Sequence, residues 1–186
     1  IEGKSILHKI TLPEGRTTAQ LLQIIEADPV LVGDMPEAGI PEGALLPDTY
    51  LFQRGTTRAD LIARTQKAQA DILAELWPGR AKDLPISTPE EAVILASVVE
   101  KETGIAGERP QIAGLFVSRL KRGMRLESDP TIIYGVSRGE PLYNSRGERR
   151  TLYRSEIDRK TDWNTYQIDG LPRTPICNPG REAIAA

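Results

Sequence analysis

The sequence predicts an α+β fold of mixed helices and short strands. Two short extended stretches, residues 8–12 and 46–52, have the pattern of strands. Longer stretches carry apolar residues at helical spacing, with capping residues before them and glycine or proline after them. Strand and helix signals do not alternate regularly, which argues against a parallel βαβ sheet and favours the α+β class.

The first half of the chain contains four predicted elements. HKITL at 8–12 is predicted to be a strand, and the apolar spacing in TTAQLLQIIEAD, 17–28, indicates a helix. A connection rich in proline and glycine, 32–47, leads to the second extended segment. Thr57 and Asp60 then begin a long helix that ends at Trp77. We expect its inward stripe to be Leu61, Thr65, Ala68, Ile72 and Leu76.

Two further helices follow, and both have clear end signals. For the first, Thr88 is the predicted N-cap, Pro89 the first helical residue, Glu91 the partner in a capping box and Gly104 the terminator. The second begins near Pro110 and ends in Lys-Arg-Gly. Its predicted inward residues are Ile112, Leu115, Phe116 and Leu120.

Length and composition describe an ordinary globular protein. The 186 residues allow one medium domain or two small ones, and we expect a strand–helix subdomain at 1–40 followed by a catalytic domain at 41–186. A net charge of −2 gives no general attraction to nucleic acid. With one cysteine, Cys177, and one histidine, His8, we expect no disulfide, no metal site and no cofactor.

The stretch ILASVVEKETG, 94–104, delivers two carboxylates at the end of an apolar run. Glu102 extends the bulkier helix face, formed by Leu95, Val98 and Val99, whereas Glu100 follows smaller residues. We therefore expect Glu102 to lie in the less polar surroundings, where burial would make it hold its proton as a general acid must. The alternative is a solvated helix end at which Lys101 balances both charges.

Four segments, in the same order, resemble the YceG-like (MltG-type) endolytic murein transglycosylases. They are EGALLPDTYLF, ASVVEKETG, ERPQIAGLFVSRLKRGMRLESDPTIIYG and NTYQIDGLPRTPICNPG. The resemblance implies a lytic-transglycosylase-like catalytic domain at 41–186 with a truncated C-terminal end. It also implies cleavage inside peptidoglycan glycan strands without water, which leaves 1,6-anhydro ends and limits strand length.

The same resemblance implies the site residues and the cellular setting. Glu102, the second acid of EKE, matches the catalytic glutamate. Glu100, the first acid, is a substrate-binding candidate that would orient its neighbour or tune its charge. The motifs SDPT, Tyr134 and NTY supply the other candidate glycan contacts, which are Ser128, Asp129, Thr131, Tyr134, Asn164, Thr165 and Tyr166. The implied setting is the periplasmic side of the bacterial inner membrane, with a single N-terminal membrane helix outside this soluble fragment. Cell-wall synthases or division proteins are further candidate partners.

This sequence departs from the usual family pattern at three places. Ser118 stands before Arg-Leu where asparagine is usual, Glu127 stands before SDPT where glutamine is usual, and Arg173-Thr174 follows GLP in place of Pro-Gly. Glu127 adds a carboxylate near the expected cleft.

Structural roles remain open for the same residues. Asp129 before a proline has the pattern of a helix N-cap, and Asn164 could cap a turn. Tyr134, Tyr166 and Trp163 could be core residues or could stack on sugar faces. Arg146, Arg149, Arg150 and Arg154 form a solvated loop or a contact for anionic wall peptides.

Two other functions also remain open. A true hydrolase would need a second carboxylate, for which Asp129 and Glu127 are the candidates. A non-catalytic wall-binding or division module would need no carboxylate at all.

Overall fold

The computed structural model describes residues 6–37 and 39–186 and confirms the α+β class. Two strands, several α-helices and two short 3₁₀ turns at 77–79 and 106–108 make up the described chain. The main elements in chain order are β1 (Leu7–Thr11), α1 (Thr18–Ala27), β2 (Thr49–Gln53), α2 (Arg58–Leu76), α3 (Pro89–Glu102), α4 (Arg109–Lys121), α5 (Asp129–Ser137), α6 (Arg154–Ile157) and α7 (Arg181–Ala185). None of the described helices is long and apolar enough to span a bilayer.

Strands β1 and β2 form a small antiparallel sheet over the first hydrophobic cluster. Leu7 lies opposite Gln53 and Thr11 opposite Thr49, so alternate side chains of both strands face the same way. The inward face packs on α1 and α2 in a cluster formed by Ile10, Leu12, Leu21, Ile25, Leu31, Leu45, Tyr50, Phe52, Leu61 and Ile62. The two predicted strands and the two predicted helices are therefore present.

The predicted division at residue 40 stays a prediction. The first five residues of the expected 1–40 subdomain and Ala38 lie outside the described part of the chain. The first hydrophobic cluster continues across residue 40 to Ile62, because β1 pairs with β2 and α2 packs beneath them. The described residues therefore form a core that does not end at that position.

Helix α3 is the centre of the second half. It contacts α4, α5 and α7, and it contributes to a second cluster formed by Leu95, Val98, Val99, Ala113, Phe116, Leu126, Tyr134 and Ile176. Leu115 was expected to face inward on α4, but it is 52% exposed. Ala113 occupies the core in its place, because α4 is turned so that Arg109, Ala113 and Phe116 form its buried face.

The ends of α2 and α3 agree with the sequence in most details. Thr57 and Thr88 cap the two helices through their side chains, and Pro89 opens α3. The predicted capping box at α3 is only half formed, since the carboxylate of Glu91 accepts from the backbone N–H of Ser87 and not from that of Thr88. The core-facing residues of α2 are Leu61, Ile62, Thr65 and Gln69, so the predicted stripe is only partly correct.

A partly buried ion pair fixes the loop before α6. The guanidinium of Arg150 donates to both carboxylate oxygens of Glu156, at 2.8 and 2.7 Å, and the backbone N–H of Tyr153 donates to the same carboxylate at 2.8 Å. The hydrogen bonds from Arg150 hold the pKa of Glu156 at about 2, against an ordinary value of 4.5. The loop therefore depends on an ionised Glu156.

This depressed pKa predicts an acid-sensitive contribution to stability. Because the folded state favours the ionised carboxylate, the contribution is complete above pH 4.5 and is lost as the pH falls towards about 2. We expect Glu156→Gln to be less stable than the wild type at pH 5.5, with the difference shrinking at pH 3. Urea unfolding at both pH values measures this difference, and a difference that stays constant would contradict the assignment.

Candidate active site

The two carboxylates at the end of α3 differ in exposure, since one lies beneath the protein surface and the other lies on it. Glu100 is buried, with 8% of its surface exposed, whereas Glu102 is exposed. The expectation that Glu102 would occupy the less polar surroundings is therefore wrong. Residues 176–180 cover the face that carries Ser97 and Glu100, as shown by the hydrogen bonds from Ile176 N to Ser97 Oγ and from Gly180 N to Glu100.

Glu100 belongs to a buried ionic cluster. Arg109 donates to Glu100 Oε1 at 2.9 Å, and the backbone N–H of Gly180 donates to Oε2 at 2.9 Å. The same guanidinium also binds Glu14 at 3.0 Å and Glu182 at 2.8 Å. Both oxygens of Glu100 are thus used within the protein, and the cluster joins the end of α3 to α4, α7 and the loop after β1.

Glu102 is held at the surface by a buried serine. Ser128 Oγ donates to Glu102 Oε2 at 2.8 Å. Ser128 is almost fully buried, and its backbone N–H donates to Thr165 Oγ1 at 3.0 Å. One carboxylate oxygen of Glu102 is therefore oriented, while the side chain as a whole remains open to solvent.

Three of the predicted glycan contacts form the support behind Ser128. The hydroxyls of Thr131 and Thr165 lie 2.8 Å apart, and the backbone N–H of Thr165 donates to Thr131 Oγ1 at 3.1 Å. The amide of Asn164 donates to the carbonyls of Ile157 and Arg159 and accepts from the backbone N–H of Tyr166. Thr131, Asn164 and Thr165 have no exposed surface, so the motifs SDPT and NTY meet mainly through buried hydrogen bonds.

Tyr166 lies close enough to Asp129, Glu127 and Glu102 for their charges to act on its hydroxyl. Tyr166 donates its hydroxyl to Asp129 Oδ1 at 2.8 Å. Burial, the hydrogen bond to Asp129 and the nearby charges of Asp129, Glu127 and Glu102 raise the pKa of Tyr166 to about 12. Asp129 is the first residue of α5 and Ser128 occupies the N-cap position, so the predicted N-cap role of Asp129 is wrong. Its side chain is exposed.

Tyr134 is a core residue whose polar end reaches another loop. It belongs to the second hydrophobic cluster, and its ring lies edge-on to Trp163 at a centroid distance of 5.5 Å. Its hydroxyl donates to Glu42 at 3.0 Å, and burial together with the charge of Glu42 raises the pKa of Tyr134 to about 12. The edge of Tyr134 also lines a groove beside α3.

This groove has a volume of about 620 Å³, and Lys101 near the end of α3 is part of its wall. Lys101 and Pro130 line it, and they lie next to Glu102 and Asp129 in the chain. Most of the rest of its wall comes from three loops, 14–16, 139–142 and 149–152, and Gln20, Ile133, Tyr134 and Ile176 complete it. Within residues 6–37 and 39–186, no three His, Cys, Asp or Glu side chains form a group that could hold a metal ion.

Sequence reasoning missed Arg109, the hub of the ionic cluster. Its partners come from residues 14, 100 and 182, which are far apart in the chain. An arginine at the start of a helix carries no local signal of burial, because a charged residue there is usually solvated. The segment ERP around Arg109 was singled out only by the family resemblance.

The comparisons with known proteins agree with the motifs. The sequence model of the YceG-like family matches residues 1–186. An endolytic murein transglycosylase of Bacillus subtilis is 32% identical over 146 residues, which are 78% of this chain and 38% of the relative. An endolytic murein transglycosylase of Streptococcus pneumoniae serotype 2 is 32% identical over 144 residues, or 77% of this chain and 25% of the relative. The chain thus spans well under half the length of these relatives.

A solved structure shares the fold over nearly the whole chain. The crystal structure of a YceG-like protein from Listeria monocytogenes superposes with a TM-score of 0.70 at 25% sequence identity, covering 98% of this chain and 66% of the other. The family inferred from the four motifs is confirmed by the family match across the full sequence. The chain belongs to the YceG-like family.

Proposed function

We propose that this chain is the catalytic region of an endolytic peptidoglycan lytic transglycosylase, with Glu102 as its acid and base. The observation that carries the proposal is an exposed carboxylate oriented by a buried serine. A groove of about 620 Å³ is lined by Lys101 and Pro130, which are the chain neighbours of Glu102 and Asp129. The names of the Bacillus and Streptococcus relatives support the same substrate, murein glycan.

The proposed reaction needs only one carboxyl group. With the strand bound over Glu102, the carboxyl of this residue donates a proton to the glycosidic oxygen between N-acetylmuramic acid and N-acetylglucosamine, and the bond from C1 to that oxygen breaks. The resulting carboxylate then takes the proton of the muramic 6-hydroxyl as that oxygen bonds to C1. The step forms a 1,6-anhydro ring, restores the acid and consumes no water. Holding the hydroxyl beside C1 makes this attack intramolecular, which is faster than attack by free water.

The other predicted site residues receive two kinds of proposed role. Asp129 and Tyr166, which are both near Glu102, would contact the sugar directly, and Tyr134 would contact it from the groove that it lines. Ser128 would position Glu102. The buried residues Thr131, Asn164 and Thr165 would fix Ser128, and Glu100 would fix the end of α3 through Arg109.

The oxygen source separates this proposal from a two-carboxylate hydrolase. A hydrolase would use Asp129 or Glu127 as its second group, with carboxyls about 5 to 9.5 Å apart, and would add water to the new end. We expect sacculi digested in ¹⁸O-labelled water to give anhydro fragments without label, about 18 mass units lighter than hydrolysed fragments. Labelled reducing ends as the main product would identify a hydrolase, and intact strands would identify a non-catalytic module.

Ser128 offers a test of how Glu102 is positioned. Ser128→Ala removes the hydrogen bond to a charged group, worth roughly 1.5–3 kcal/mol, so we expect kcat on sacculi to fall about 10-fold or more with the fold intact. Ser155→Ala is the matched control, because Ser155 is exposed on α6 and its side chain makes no hydrogen bond with the described residues. Equal kcat values for the two variants would contradict the positioning role.

The proposal also includes the cellular setting implied by the family. The substrate is peptidoglycan outside the bacterial cytoplasmic membrane, and anchoring by a single N-terminal helix would keep the enzyme near newly made strands. Cell-wall synthases or division proteins are the proposed partners there. Protease accessibility of the full-length protein in spheroplasts tests the side of the membrane on which this region lies.

A further inference from the structure

We infer that the groove beside the end of α3 binds the carboxylates of the stem peptide attached to the glycan strand. The inference rests on the proposed function, since it names the part of the same substrate that occupies the groove. It also predicts a substrate preference, because strands whose peptides carry free carboxylates would bind more tightly than strands whose peptide carboxylates are amidated.

The charge of the groove is the first observation. Four cations line it, namely Arg16, Lys101, Arg149 and Arg150. Of these only Arg150 has a carboxylate partner among the described residues, which is Glu156. The other three are exposed and make no ion pair with the part of the chain that the structure describes.

Two carboxylates, Glu14 and Glu140, also line the groove. Glu14 is bound to Arg109, and Glu140 accepts a hydrogen bond from the amide of Gln20 at 3.0 Å. Four cations against two carboxylates leave an excess of positive charge in the wall of the groove, in a chain whose net charge is −2. A concave site with an excess of one sign of charge attracts a ligand of the opposite sign.

The wall that carries Arg149 is held in place before any ligand binds. Arg150 and Glu156 fasten this loop, the backbone N–H of Arg150 donates to the carbonyl of Leu142 at 3.0 Å, and Tyr143 pairs with Arg149 in a short bridge. On the opposite side, Lys101 Nζ donates to the carbonyl of Gly15 at 3.3 Å. A ligand would thus lose little free energy in ordering these elements.

The chemistry of the substrate selects the occupant. The sugar rings of the strand are neutral, so unpaired arginine and lysine side chains give them no specific advantage. The peptide is attached to the muramic residue, whose C1 must lie at Glu102 for cleavage, and it carries free carboxylates. Lys101 lines the groove and is adjacent to Glu102 in the chain, so one wall of the groove starts one residue from the acid at which the sugar would be cleaved.

Binding measured without cleavage tests the inference. The probes are soluble glycan strands with intact peptides and the same strands with their peptide carboxylates converted to amides, and the protein carries Glu102→Gln to prevent turnover. We expect intact strands to bind about 5- to 10-fold more tightly than amidated strands. Adding Arg16→Gln and Arg149→Gln together should bring this ratio close to one, since each exposed ion pair is worth a few-fold in affinity. Raising the salt concentration should lower the ratio as well.

Arg146→Gln is the matched control. Arg146 lies in the same loop and is exposed, but it does not line the groove, so the ratio should persist in this variant. Equal binding of both strands by the Glu102→Gln protein, binding of neither strand, or an unchanged ratio in the double variant would overturn the inference. Cleavage of both strand types without preference would support the proposed function and contradict the inference about the groove. A binding preference without cleavage by the wild type would support the inference and contradict the proposed function.

Discussion

Replacing Glu102 with glutamine is expected to lower the turnover of purified sacculi by roughly 10²- to 10⁴-fold while the fold remains intact. Glutamine keeps the size of the side chain and can still accept the hydrogen bond that Ser128 Oγ donates to Glu102 Oε2. It has no proton to transfer to the glycosidic oxygen and cannot act as the base in the second step. Because Glu102 is exposed, the substitution leaves no unpaired buried charge.

Glu90→Gln is the control for this prediction. Glu90 is an exposed carboxylate in the first turn of the same helix, at the end opposite Glu102, and its side chain makes no hydrogen bond with the described residues. Release of soluble anhydro fragments measures turnover, and circular dichroism measures the fold. A folded Glu102→Gln protein with turnover near that of Glu90→Gln would remove Glu102 from the mechanism.

The bounds of the helices could be predicted because their signals are local. Thr57, Thr88 and Pro89 act within one helical turn, and the structure places all three at the predicted helix starts. The inward face of a helix depends instead on what packs against it. Leu115 is exposed because α4 turns Ala113 and Phe116 towards α3, and the sequence of α4 alone does not contain that choice.

The candidate site was likewise only partly predictable from the sequence. The motif residues around Glu102 were identified from the resemblance, but their burial was not, because it depends on contacts between distant segments. Ser128 and Thr131 meet Thr165 across more than thirty residues, and Glu100 meets Gly180 across eighty. Polar residues in a motif suggest contact with a ligand, yet several of the motif residues form their hydrogen bonds with each other. The helical periodicity likewise predicted that Glu102 would be buried, whereas Glu100 is the buried residue of the two.

Removing the cation from the ionic cluster at the end of α3 is expected to have the largest effect on stability. Arg109→Met keeps the length of the side chain but removes the cation that pairs with Glu100, Glu14 and Glu182. Glu100 would then be a buried carboxylate without a counterion, and breaking a buried pair in this way costs roughly 3–5 kcal/mol. The neighbouring carboxylate of Glu14 adds to this cost, because burial and the charge of Glu100 already raise the pKa of Glu14 above its ordinary value.

Urea unfolding of a matched set of variants tests this expectation. Arg154→Met removes an exposed cation that pairs with Asp158 on the surface, so it should change the free energy of unfolding by less than about 1 kcal/mol. The double variant Arg109→Met/Glu100→Gln should recover part of the loss, because most of the cost comes from the charge that is left unpaired and not from the missing attraction. If Arg109→Met is no more destabilising than Arg154→Met, the cluster does not hold the end of α3. If the double variant is less stable than Arg109→Met alone, the loss comes from side-chain packing and not from the buried charge.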